Sequence, residues 1–239
     1  MRVDEVGGLK IRLAGGTDGQ GGGNGPLIIL LHGYGAPGDD LLPLAEVVSG
    51  PPGMRWIFPE GPLALNMGFG DSRAWWLIDM ARLEADRRAG RVRDLSSEVP
   101  RGLPQAREAL ETFLTGLPRK LPVDPRKTII GGFSQGAMLT CDLVMRTAFP
   151  FGGLIQLSGS LLAKQDWRPS AGKRASLPVF QSHGTMDPIL PYVMAERQRD
   201  ELISAGLKVQ WHSFHGGHEI PEPVLSRLGG FVTKVLAKT

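Results

Sequence analysis

Ser134 stands in Gly132-Phe133-Ser134-Gln135-Gly136, a G-x-S-x-G pattern that places a hydroxyl between two glycines. In a chain with 33 glycines that pattern is a weak signal by itself. A serine hydroxyl near neutral pH is a poor nucleophile, and it attacks a carbonyl only when an imidazole takes its proton and a carboxylate orients that imidazole. The chain must therefore supply both. Asp187 follows in Gly184-Thr185-Met186-Asp187-Pro188, and His218 closes His215-Gly216-Gly217-His218. The order Ser, Asp, His along the chain is one of the known arrangements of such a set, and the chemistry it would perform is acyl transfer.

The surrounding residues show how these groups would be positioned. Thr128-Ile129-Ile130 has strand character, and Ala137-Met138, Cys141 and Val144-Met145 continue at helical spacing, so Ser134 falls on a sharp strand-to-helix turn. Side chains two residues either side of the serine would collide there, which accounts for glycine at 132 and 136. Asp187 and His218 each follow a predicted strand, in the loops at carboxyl ends where open α/β sheets build their sites. Leu30-Leu31-His32-Gly33-Tyr34-Gly35 ends another strand in a glycine-bracketed turn. Such a turn can aim a backbone N–H at a developing oxyanion, with the N–H of Gln135 as a second donor at a helix N-terminus.

The other histidines admit plainer readings. His32 and His183 end strands before glycines and are expected to bond turn backbone. His212, His215 and His218 straddle a strand end with no H-E-x-x-H helix or matching Cys/Asp group, so no metal site is expected. His215 is the competitor of His218 for the role of base, and the longer loop reach favours His218. Asp39 or Asp40 is expected to cap the helix that follows.

Around these motifs, apolar runs with strand character alternate with stretches of helical period. The strands are expected at 9–13, 27–32, 55–58, 128–133, 153–158, 179–183 and 209–214, and the helices at 40–48, 104–117, 135–148, 192–205 and 221–236. That alternation predicts an α/β fold, with a mainly parallel, twisted sheet of about seven strands and helices on both faces. The 239 residues fit a single domain. Residues 15–25, rich in glycine, read as a flexible loop; residues 61–102, a long interval without strand character, read as a lid or pocket wall. The apolar set Met67, Phe69, Trp75, Trp76, Leu77 and Ile78 within that interval is dense enough to line a substrate site.

Composition narrows the class further. With 41% hydrophobic residues, 21% charged and a net charge of +3, the chain is neither disordered nor built around a basic face, and no nucleic-acid partner is expected. The single Cys141 cannot form an intrachain disulfide. The start Met1-Arg2-Val3-Asp4-Glu5 carries no apolar signal core, and the longest apolar run, at 27–31, is too short to span a bilayer. A soluble cytoplasmic protein without stable membrane insertion is the expectation.

These motifs resemble the phospholipase/carboxylesterase family of the α/β-hydrolase superfamily, which includes acyl-protein thioesterases. The residues that carry the likeness are Leu31-His32-Gly33-Tyr34-Gly35 with Asp39-Asp40, Phe58-Pro59-Glu60-Gly61-Pro62, Arg73-Ala74-Trp75-Trp76, the Ser134 motif, His183-Gly184-Thr185-Met186-Asp187-Pro188 and Gly217-His218-Glu219-Ile220. They run in family order over nearly the whole chain. The resemblance implies an α/β-hydrolase fold, with Ser134 as nucleophile, His218 as base and Asp187 as orienting acid. It implies Tyr34 and Gln135 as oxyanion donors, and Met67, Phe69, Trp75 and Trp76 beside the acyl group. The expected activity is a serine carboxylesterase acting on short- to medium-chain esters without cofactor or metal. An acyl thioesterase or lysophospholipase would use the same residues; a silent binding module on the same fold is the rival from another class. The partner is a small-molecule ester, and a homodimer is an arrangement the sequence leaves open. Residues 79–102 and 15–25 depart from the family pattern, so the pocket wall is the part least constrained by the likeness.

Overall fold

The structure is a computed structural model and describes residues 1–66, 70–91 and 94–237. In chain order its elements are β1 (Arg2–Val6), β2 (Leu9–Gly16), β3 (Gln20–Gly22), β4 (Leu27–Leu31), α1 (Leu44–Val47), β5 (Arg55–Pro59), β6 (Leu63–Ala64), β7 (Arg73–Ala74), α2 (Met80–Arg88), α3 (Leu103–Gly116), β8 (Thr128–Phe133), α4 (Gln135–Arg146), β9 (Gly153–Leu157), α5 (Lys164–Ala171), β10 (Pro178–Gly184), α6 (Tyr192–Ser204), β11 (Lys208–Phe214) and α7 (Glu222–Leu236). The main sheet runs β1-β2-β5-β4-β8-β9-β10-β11, with β3 paired to β2. From β5 to β11 every pairing is parallel, while β1 and β2 join antiparallel at one edge.

Alternation along the buried strands explains the two layers of helix. Leu27, Ile29 and Leu31 of β4 join one core with Ile57, Ile130 and Val179, beneath α3, α4 and α6. Ile28 and Leu30 point to the opposite face, with Trp56, Phe58, Ile129 and Phe180, where α1 and α7 cover them. Consecutive strand residues project to opposite faces, so a strand apolar at every position must be covered twice. In α7, Val224, Leu228, Phe231, Val232 and Leu236 recur at three- and four-residue steps and are all buried. No described helix is long and apolar enough to cross a membrane.

All seven expected strands are present, and the sheet has nine. The two additions are β1, whose charged residues Arg2, Asp4 and Glu5 hide its strand character at an exposed edge, and β3. Residues 15–25 accordingly include the end of β2 and the short strand β3. The Asp18 carboxylate accepts the N–H groups of Gln20 and Gly22 at 2.8 and 2.9 Å, and Gly21 packs so close to Leu13 that a side chain there would not fit. The helix expected at 40–48 shrinks to Leu44–Val47, and its N-cap is Pro43 without a side-chain bond. The capping role expected of Asp39 or Asp40 is therefore not filled; Asp39 lies 3.9 Å from Arg12. α2 has almost no apolar face, so periodicity could not reveal it. It is held by charge: Asp79 accepts the Arg82 N–H at 2.9 Å, Arg88 pairs with Glu84 one turn earlier at 2.9 Å, and Arg82 reaches Glu98 at 2.7 Å.

Candidate active site

Ser134 sits between β8 and α4 with φ 53° and ψ −116°, a strained conformation for a residue with a side chain. The chain tolerates it because the residues two positions either side are glycines. A Cβ added to Gly136 would come within 2.2 Å of the Leu31 carbonyl oxygen, and one on Gly132 within 2.5 Å of Gly136. The Ser134 N–H is tied to the Leu157 carbonyl at 2.9 Å, which fixes the serine over the middle of the sheet.

His218 and Asp187 converge on the same place from β11 and β10. The His218 Nδ1–H donates to Asp187 Oδ2 at 2.6 Å, leaving Nε2 free, and the His218 ring packs 4.8 Å from Phe133, the neighbour of Ser134. His215, its competitor in the sequence, is exposed and makes no such bond. Asp187 is itself fixed through both oxygens. Its Oδ1 accepts the N–H groups of Ile189 and Leu190 at 2.8 and 2.9 Å, and its Oδ2 also faces His183 Nε2 at 3.2 Å. Burial by itself would raise this carboxyl, but the donors His183 and His218 and the Leu190 N–H outweigh it and hold the group well below the ordinary carboxylate range. His183 also donates to the Leu190 carbonyl at 2.8 Å. The sequence reading gave it a bond to turn backbone, which it makes; the contact with Asp187 was missed, although the four-residue separation was its only signal.

The turn after β4 lies against the serine. A Cβ on Gly33 would sit 3.3 Å from the Ser134 Cβ, and Gly33, Tyr34 and Ser134 line one cavity. His32 steers this turn by donating Nδ1–H to the Gly33 carbonyl at 2.8 Å, while its Nε2 accepts the Gly61 N–H at 2.9 Å. Arg73 holds the far end: Gly35 N–H donates to its carbonyl at 2.8 Å, and its own N–H donates to Ala36 at 3.0 Å. The Arg73 side chain is anchored by buried Glu60, 3.2 Å away, which also binds Arg12 at 2.8 Å and Lys10 at 3.3 Å. Burial opposes ionisation of Glu60, and these three cations overcome it, lowering the carboxyl.

The cavity, of about 930 Å³, is lined by Ser134 and His218 together with the apolar Trp76, Leu77, Ile78, Met138, Leu162 and Leu190. Charged residues of α2 and its flank, among them Arg82, Glu84, Glu98 and Arg101, also line it. Of the expected substrate-side residues, Met67 and Phe69 lie outside the described residues, and Trp76 lines the cavity. Trp75 does not. It is turned into the core, where its indole N–H donates to the His32 carbonyl at 3.1 Å. The two tryptophans follow β7 in a bend that sends the Trp75 ring to the His32 carbonyl and the Trp76 ring to the cavity wall. The buried side chain of Gln135 accepts the Trp75 N–H at 2.9 Å and donates to the Trp76 carbonyl at 2.8 Å. His212 packs on Phe180 and contacts Gln210, and among the described residues no three His, Cys, Asp or Glu are grouped to hold a metal ion.

A parallel sheet covered on both faces, with a serine on the β8–α4 turn and an Asp-bound histidine at the same cavity, defines an α/β-hydrolase of the serine type. Residues 21–236 match the phospholipase/carboxylesterase family, and the chain belongs to it. Acyl-protein thioesterase 1 of Candida albicans is 25% identical over 227 residues, covering 88% of this chain and 92% of that protein. Acyl-protein thioesterase 1 of Kluyveromyces lactis is 29% identical over 177 residues, 69% of this chain and 71% of its own. Among solved structures, esterase PE8 superposes with a TM-score of 0.74 at 27% identity, covering 94% of this chain and 100% of its own. The carboxylesterase of Mesorhizobium loti, at 16% identity, shares the fold with a TM-score of 0.75 over the full length of both chains.

Proposed function

We propose that this hydrolase cleaves carboxylic esters of short- to medium-chain acids through an acyl-enzyme on Ser134. The observation that carries the reading is the 2.6 Å bond from His218 to Asp187 at the wall of a cavity that also exposes Ser134. In this mechanism His218 Nε2 accepts the Ser134 proton as Oγ attacks the carbonyl carbon. The oxyanion that forms is bound by the N–H groups of Tyr34 and Gln135, and Asp187 stabilises the imidazolium. The C–O bond to the leaving group then breaks, and His218 returns the proton to the departing alcohol. Water repeats the sequence on the acyl-enzyme, releasing the acid and the free serine. Each step uses side chains and backbone of this chain alone.

A thioester substrate is the second reading, favoured by the thioesterase relatives, and it changes only the leaving atom from oxygen to sulfur. A panel of p-nitrophenyl esters beside acyl-CoA thioesters separates the two. Higher kcat/KM on esters supports the first reading; turnover confined to thioesters overturns it. The apolar lining, Trp76 in particular, supports acyl binding next to Ser134. Each further methylene buried there strengthens binding by up to about 0.8 kcal/mol until the space is filled. Activity is expected to rise from acetate to butyrate or hexanoate, and Trp76→Ala to depress kcat/KM more for the longer esters than for acetate. Uniform loss across the series, with a lower Tm, would mean that Trp76 serves only the core.

A further inference from the structure

Trp75 makes two directed hydrogen bonds that packing alone does not require. Its backbone N–H donates to Gln135 Oε1 at 2.9 Å, and Gln135 is the residue whose own N–H begins α4 beside Ser134. Its indole N–H donates to the His32 carbonyl at 3.1 Å, one residue before the Gly33-Tyr34 turn. The His32 ring lies 5.5 Å from the Trp75 ring and is itself bonded to the Gly33 carbonyl at 2.8 Å. The two turns that would bind the oxyanion come from β4 and β8, neighbouring strands whose ends carry no backbone bond from Tyr34 to Gln135 among the described residues. The β4–β8 ladder itself ends at Leu31–Gly132; beyond it Trp75 bonds to both turns, and Gly61 N–H seats the back of His32 at 2.9 Å.

We propose that Trp75 is a positioning residue, bracing the two halves of the oxyanion hole at the spacing a tetrahedral oxyanion needs. The proposal rests on the reading of Ser134 as nucleophile and of Tyr34 and Gln135 as donors. Donors placed before the reaction act most strongly when the oxyanion has formed, so a slackened brace weakens transition-state binding more than substrate binding. Trp75 adds two hydrogen bonds and one ring contact to this spacing above the Leu31–Gly132 pair, and losing one neutral hydrogen bond shifts such an equilibrium roughly three- to tenfold.

The test compares wild type with Trp75→Phe, which keeps an aromatic ring and removes the indole N–H. Two inhibitors of equal chain length report on it: an alkyl trifluoromethyl ketone, which adds to the serine and forms an oxyanion, and the matching methyl ketone, which binds without adding. With active sites counted by fluorophosphonate titration, Trp75→Phe should lower kcat and weaken the trifluoromethyl ketone by the same factor, roughly three- to tenfold. The methyl ketone should change by less than about twofold in the same comparison. Equal weakening of both ketones, or of neither, would overturn the brace and leave Trp75 as packing. Should Trp75→Phe fold poorly, Gln135→Met cuts the linkage from its other end and must give the same split. A wild-type protein that forms no adduct with the trifluoromethyl ketone would instead overturn the Ser134 reading, and the brace with it.

Discussion

Replacing Ser134 with alanine is expected to lower kcat by roughly 10⁴- to 10⁶-fold and to abolish fluorophosphonate labelling, with Tm essentially unchanged. Alanine keeps the Cβ and leaves the turn as it is: the Ser134 N–H still meets the Leu157 carbonyl, and Gly132 and Gly136 still give the backbone room. Only the oxygen that forms the acyl-enzyme is lost. Any residual rate would come from the oxyanion donors and the cavity holding the ester near water. Hydrolysis near the wild-type rate, measured on p-nitrophenyl butyrate with labelling as the second readout, would remove Ser134 from the chemistry.

The second large effect is expected of Asp187→Asn, a loss of about 10⁴ in kcat. The two backbone donors, Ile189 and Leu190, would claim the amide oxygen, because they already bond Oδ1. The amide nitrogen would then face His218 Nδ1 and His183 Nε2, both of which donate to the carboxylate in the native protein. His218 would be driven to the tautomer with its proton on Nε2, which cannot accept one from Ser134. His215→Ala, which changes an exposed side chain off this network, should keep activity close to wild type. If His215→Ala is the inactive variant and Asp187→Asn is not, the base is misassigned.

A pH dependence of stability follows from the same carboxylate. Its folded-state value is depressed, so its contribution is complete above the ordinary unfolded value of about 3.9 and is lost as pH falls below it. The Tm difference between wild type and Asp187→Asn should therefore be steady at neutral pH and shrink in acid.

The motifs of Ser134, Asp187 and His218 could be read from the sequence because each combines a reactive side chain with the glycines its turn demands, at the end of a strand apolar enough to be recognised. β4, β5, β8, β9 and β10 were legible for a related reason: covered on both faces, they are buried at nearly every position, whereas the edge strand β11 is of mixed residues and only partly buried. β1 and α2 were not legible, since their residues are polar and their structure comes from an edge pairing and from ion pairs. Residue types and order along the chain thus determined the fold class and the chemistry available. Tertiary structure decided which of two neighbouring tryptophans faces the cavity, which histidine meets Asp187, and that Gln135 grips Trp75 and Trp76, because each depends on the direction of a side chain across segments some 30 to 60 residues apart.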